Sequence, residues 1–99
     1  MVKVIVERRF RSIEGGKAEG LLVEMRSKAL RARGYIGGET LISLKDPSVL
    51  ITISTWSDEA SWSAWTSSSP RQETANKIAP LMVSPEKVSI FRVVSHSGT

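Results

Sequence analysis

"GYIGGETLISLKDPSVLITISTW", residues 34–56, is the stretch whose reading decides the fold. Two runs rich in β-branched and aromatic residues, "YIGGETLISL" and "VLITISTW", flank "KDPS", where Pro47 pre-sets the backbone for a turn. The pattern is that of a β-hairpin. Gly37 and Gly38, inside its first strand, mark a bulge or a close backbone approach.

Each side of the hairpin carries a helix and then a strand. Upstream, from Lys17 to Arg33, the apolar residues Ala18, Leu21, Leu22, Met25, Ala29 and Leu30 recur on one helical face, while Glu19, Glu24, Arg26, Lys28 and Arg31 fall mostly on the other. Gly34 suits the C-terminal end of that helix. Before it, Val2, Val4 and Val6 alternate with Lys3, Ile5 and Glu7, the period of a strand running to about Phe10, and "SIEGG" breaks it. Downstream, Ser57 and Asp58 are N-cap residues for a short helix from Glu59 to about Ser67. After "SSSP", Pro70 starts a second helical piece towards Leu81, which Pro80 and Pro85 bracket. "EKVSIFRVV" is a last strand, and the tail at 95–99 is expected to fray.

The order strand, helix, strand, strand, helix, strand is the split βαβ arrangement. It predicts an α+β, ferredoxin-like fold, with a four-stranded antiparallel sheet carrying its helices on one face, in a single domain over residues 1–99. The other face then needs a cover. The first and third strands each carry an apolar row (Val2, Val4, Val6; Val49, Ile51, Ile53) and a mixed row (Ile5, Glu7; Leu50, Thr52, Ser54, Trp56). With the mixed row and Trp56 turned to the helices, the two apolar rows are bare, which predicts a symmetric homodimer packed sheet against sheet over about 1,200 Å² or more.

Composition narrows the partners. The chain has no cysteine, so disulfides and thiolate metal sites are out of reach and a reducing, cytoplasmic setting is expected. No run approaches the length of a membrane span. The net charge of +4 is spread among acidic residues, without the block of like charge that marks a nucleic-acid tail. RNA-recognition modules share this strand order, but they display aromatics along the middle of the sheet. Here the third strand is aliphatic, "VLITIST", until Trp56. No nucleic acid and no metal ion are expected as partners.

All three tryptophans, Trp56, Trp62 and Trp65, fall within ten residues beside a serine-rich segment. Such a cluster is either a dense corner of the core or the wall of a pocket. Trp65 is read as packing; Trp56 and Trp62 divide between the two roles. Arg8, Arg9 and Arg11 read first as a solvated strand end, and His96 as a tail residue.

"GYIGGETL", "DP", a strand ending in "TW", "SDEASWSAW" and "SPRQE" resemble the antibiotic biosynthesis monooxygenase family, with the likeness running over residues 2–93. The resemblance implies a dimeric α+β barrel. Two branches of that family have different sites. Where the cofactor-independent, quinone-forming oxygenases have an asparagine on the third strand, a tryptophan at its end, a tyrosine one helical step on and an arginine in the second helical piece, this chain has Thr52, Trp56, Trp62 and Asn76. Where the haem-degrading branch has a first-strand asparagine and an iron-ligating histidine ten residues after the position of Trp65, this chain has Arg8 and Ala75. The resemblance therefore implies a cofactor-free oxygenase acting on a small phenol- or hydroquinone-type aromatic, and it disfavours haem degradation. A non-catalytic small-molecule binder of the same fold is the alternative. Trp56, Trp62, Thr52 and Asn76 frame the expected binding site, with Trp65 beside them and Arg8 or Arg71 stabilising a substrate anion. No side chain stands out as a general base.

Overall fold

The computed structural model describes residues 1–97 and forms every expected element, with shorter ends. The strands are β1 (Val2–Arg9), β2 (Tyr35–Ile42), β3 (Val49–Trp56) and β4 (Lys87–Arg92); the helices are α1 (Lys17–Ala29), α2 (Glu59–Thr66) and α3 (Ser69–Ile78). Single 3₁₀ turns precede α1 and follow α3. The strands pair antiparallel in one sheet of order β2-β3-β1-β4, the ferredoxin-like arrangement. Residues 93–97 form no regular element, and the last two positions of the expected frayed tail lie outside the described residues.

The register corrects one expectation about the faces. Val2, Val4 and Val6 lie opposite Trp56, Ser54 and Thr52, and residues directly opposite in an antiparallel pair point to the same face. Val4 and Val6 are therefore buried under the helices together with Trp56 and Leu50. They do not lie on the bare face. The outer face carries Ile5 and Glu7 beside Ile53 and Ile51 instead, so the apolar row of β1 and the apolar row of β3 belong to opposite sides of the sheet. Alternation within each strand was legible; the offset between two strands is set by pairing.

The core is one cluster. Ala18, Leu22, Met25 and Ala29 of α1 pack on Val4, Val6 and Leu50 of the sheet, and Trp56, Trp62, Trp65 and Ile78 complete the layer. Each valine, leucine, isoleucine or methionine among them contributes about 1.5–3 kcal/mol on full burial. Between α1 and α3, the buried Thr74 hydroxyl donates to Glu24 Oε2 at 3.0 Å and accepts from Lys28 Nζ at 2.8 Å, which ties the two helices across their contact.

Helix α1 stops four residues before the expected Arg33. The Arg31 and Ala32 amides donate to the carbonyls three residues back, at Lys28 and Ala29, and this tightening turns the chain towards β2 and leaves Leu30 in water. Gly34 completes the turn with φ +85°, and its carbonyl accepts from the Ser57 amide at 2.8 Å. A Cβ at Gly34 would collide with the Ser61 side chain. Gly34→Ala combines left-handed strain with that clash and is expected to lower stability by at least about 2 kcal/mol in a denaturant melt. An unchanged midpoint would show that the turn relaxes freely. At Gly37 the β2–β3 register shifts, and a Cβ on Gly38 would stand 2.8 Å from the Ile53 carbonyl, so both readings of that glycine pair apply, one to each residue.

Candidate functional site

Trp56 is the last residue of β3 and faces the helices at 1% exposure. Asp58 caps α2 by accepting from the Ser61 amide at 2.8 Å, and this fixes where the helix begins and so where its two tryptophans point. Trp62 and Trp65, three apart, descend from adjacent stripes of α2 onto Trp56. Trp56 meets Trp62 edge to face at 5.8 Å between ring centroids and Trp65 in an offset stack at 6.2 Å. Tyr35, at the start of β2 and opposite Trp56 in the register, closes the other side at 5.2 Å.

Beneath these rings, between the sheet and α1, lies a cavity of about 60 Å³. Val6, Leu22, Met25 and Ala29 supply its apolar floor and roof, the three indoles and Tyr35 its walls, and Thr52 and Ser54 hydroxyls from β3. Its rim is exposed and is formed by Arg26 of α1 and by Gly38, Glu39 and Thr40 of β2, so it opens beside the edge strand. That volume equals roughly two waters' share of liquid volume. Met25, unbranched and adaptable, is the lining side chain best able to yield more.

Two guanidiniums reach this cavity from the sequence-predicted set. Arg8 lies on the inward row of β1, continuing Val4 and Val6, and only 2% of it is exposed, so it is not part of a solvated strand end. It donates to Thr52 Oγ1 at 3.3 Å and to Met25 Sδ at 3.7 Å. Arg71, set by the Pro70 start of α3, is buried too and lies over the Trp62 ring at 5.6 Å. Both pair with Glu86 at the foot of β4: Arg8 Nε is 2.9 Å from Glu86 Oε2, and Arg71 Nη2 donates to Glu86 Oε1 at 3.2 Å. Burial pushes the Arg8 pKa down, the Glu86 carboxylate pulls it back up, and Arg71 adds a smaller push down. Burial likewise pushes the Tyr35 phenol up, which keeps it a neutral donor.

Six of the seven sequence-predicted site residues thus line one cavity: Arg8, Thr52, Trp56, Trp62, Trp65 and Arg71. The seventh, Asn76, does not join them. It is exposed on α3 and borders a separate hollow with Ala75, Ile78, Met82 and Glu86. Trp56 and Trp62 are in direct edge contact, so a ring cannot lie between them and must sit against Trp62 from the cavity side, and the Trp56 indole N–H is taken up by Ser54 Oγ at 2.9 Å. Tyr35, Ser54 and Glu86 were missed. The register would have nominated the first two, as the partner of Trp56 and the inward neighbour of Thr52, whereas nothing local in "SPEK" announces Glu86.

Compared with known proteins, residues 1–77 match the model of the antibiotic biosynthesis monooxygenase family. No curated protein sequence matches the chain. Among solved structures, a conserved protein from Methanosarcina mazei Go1 superposes with a TM-score of 0.84 at 18% identity, over 92% of this chain and 90% of that one. Rv0793 from Mycobacterium tuberculosis superposes at 0.85 with 14% identity, over 98% of each chain. SnoaB, a cofactor-independent oxygenase from Streptomyces nogalater, does so at 0.86 with 12% identity, over 96% and 94%. At these identities the likeness is one of fold.

Proposed function

We propose that this chain, which belongs to the antibiotic biosynthesis monooxygenase family, binds a small phenol- or hydroquinone-type aromatic in the indole-walled cavity and oxygenates it with dioxygen without a cofactor. The observation that carries the proposal is the meeting of aromatic walls, two hydroxyls and two buried guanidiniums in one cleft. That composition suits a flat ring bearing one oxygen that must be held as an anion. The enclosed end takes the oxygen and the mouth beside β2 takes the rest of the ring. A structural neighbour, SnoaB, is a cofactor-independent oxygenase, which shows that the fold supports such chemistry.

The chemistry asks little of the protein. For a phenol with a free para position, a C–O bond forms at that carbon and the O–O bond breaks. One oxygen stays as the quinone carbonyl, and the other leaves as water with the para hydrogen and the phenolic proton. All four electrons that dioxygen accepts come from the substrate, so no external reductant is needed. What remains is binding, orientation and stabilisation of the electron-rich anion, which positions Trp62 and Tyr35 as walls and Thr52, Arg8 and Arg71 around the oxygen. The partners in this proposal are the aromatic molecule and a second copy of the chain.

A non-catalytic binder is the second reading. It is favoured by the exposed position of Asn76, away from the cavity, and by the small enclosed volume. Oxygen consumption with naphthol- and hydroquinone-type compounds, measured beside quenching of tryptophan fluorescence, separates the two. The enzyme consumes oxygen above the protein-free rate, and Trp62→Ala removes the excess; the binder quenches without consuming. Neither quenching nor consumption overturns both.

A further inference from the structure

We infer that the Arg8, Glu86 and Arg71 triad takes a phenolic ligand as its anion, so that the phenol gives up its proton on entering the cavity, and that Glu86 sets how strongly it does so. The inference rests on the aromatic-pocket proposal and supplies what that proposal lacks, a device that ionises the substrate without a side-chain base.

The geometry is unequal in charge. The Arg8 side chain is 3% exposed and that of Arg71 9%, yet they share one carboxylate, on Glu86. Glu86 does not line the aromatic cavity. It reaches the guanidiniums from the neighbouring hollow, beside Met82 and Pro85, which Arg8 also lines, and so balances one of two positive charges that both border the aromatic cavity. The hydrogen bonds tell the same story. Arg71 Nε has no hydrogen-bond partner among the described residues, and Arg8 Nε meets only Glu86, as an ion pair at 2.9 Å. The remaining ionisable groups around the cavity do not redress the balance. Arg26 of α1 and Glu39 of β2 stand opposite in sign on the exposed rim, and Tyr35 is neutral.

A buried charge without a counterion is costly, and a ligand anion placed against it is stabilised by charge-assisted hydrogen bonds. Opposite charge favours the ionised form of an acid, and in a cleft shielded from water it does so more strongly than at a surface. On binding, therefore, the phenolic O–H bond breaks, its electron pair stays on oxygen, and the proton leaves through the mouth to the buffer. The product of that step is the electron-rich anion from which dioxygen takes an electron.

The test uses 4-nitrophenol, whose anion is coloured and whose ring is too electron-poor to be oxygenated, with 4-nitroanisole as the neutral analogue that cannot ionise. Binding is read by tryptophan quenching, and ionisation by the nitrophenolate band as pH is varied with protein in excess. The apparent pKa of bound nitrophenol should fall by about one unit or more below its free value, and at a pH above that value nitrophenol should bind at least about tenfold more tightly than nitroanisole. Glu86→Gln, which removes the only counterion the two guanidiniums have among the described residues, should deepen the pKa drop; Arg71→Gln should abolish it. Nitrophenol that binds with an unchanged or raised pKa, or a Glu86→Gln protein with a smaller drop than wild type, overturns the triad inference and leaves the pocket intact. If neither compound quenches, the pocket proposal falls and the inference with it. The pKa of nitrophenol bound to the wild-type protein decides the inference by itself, so the outcome does not depend on whether either variant folds.

Discussion

Trp56→Ala is expected to lower the stability of this protein by about 3–5 kcal/mol, the cost of truncating a fully buried large aromatic. Only 1% of Trp56 is exposed, and it touches every other aromatic of the cluster: Tyr35 and Trp62 on their edges and Trp65 on its face. Its loss also leaves the Ser54 hydroxyl without its donor. In a domain of this size the expected fall in Tm is roughly 12–40 °C. Trp62 is nearly as buried, but one of its sides faces the cavity and another is covered by the Arg71 guanidinium, which can follow the ring when it goes. Trp62→Ala should therefore cost clearly less stability while removing ligand quenching and any oxygen uptake. Trp65 falls between them, since it lines the cavity on one side and borders a surface groove beside Lys28 and Ser68 on the other. Thermal melts of the three variants decide the order. If Trp62→Ala melts as low as Trp56→Ala and wild type binds no aromatic compound, the cluster is core alone.

The hairpin at 34–56, the amphipathic α1 and the tryptophan cluster were legible because each is written in a local pattern: alternation, a 3.6-residue period, and proximity in the chain. The site was legible as far as its members sit on elements whose inward row could be guessed. Arg8 shows the limit. As part of "ERRFR" it has the appearance of a surface charge, and only the pairing of Arg8 with Leu50 places it on the buried row. Glu86 shows the limit more sharply, since its meaning lies in two partners 78 and 15 residues away in the chain, brought together by α3 and the return of β4. Asn76 failed for the opposite reason. A position matched to a relative's arginine carries no information about the rotation of this chain's α3, and here that rotation turns Asn76 to water while Arg71, five residues earlier, faces inwards.

Replacing Ile51 and Ile53 together by lysine is expected to convert a dimer into a monomer. The corrected register places Ile5, Ile51 and Ile53 in the centre of the outer sheet face, with Leu41 and Phe91 exposed on its flanks at 43% and 54%. Around them stand Lys3, Glu7, Glu39 and Lys87 on the same face. An apolar centre inside a charged border is how a protein interface is composed, and a second copy supplies the matching surface by symmetry. Sheet-on-sheet contact over this face should bury about 1,200 Å² or more, enough for a stable dimer at micromolar concentration. Each lysine would bring an unpaired charge into the centre of that contact from both protomers at once. At several kcal/mol for burying a charge without a partner, the dissociation constant should rise by a factor on the order of 10³ or more. Sedimentation velocity of wild type and variant gives the answer, and a melt of the variant separates dissociation from unfolding. Wild type that sediments as a monomer, or a folded variant that remains a dimer, would show that this face is not where two chains meet. The same experiment asks whether the site depends on assembly: the Ile53 segment also lines the aromatic cavity, so a folded monomer that no longer binds a ring would mean that the second chain braces the wall from outside.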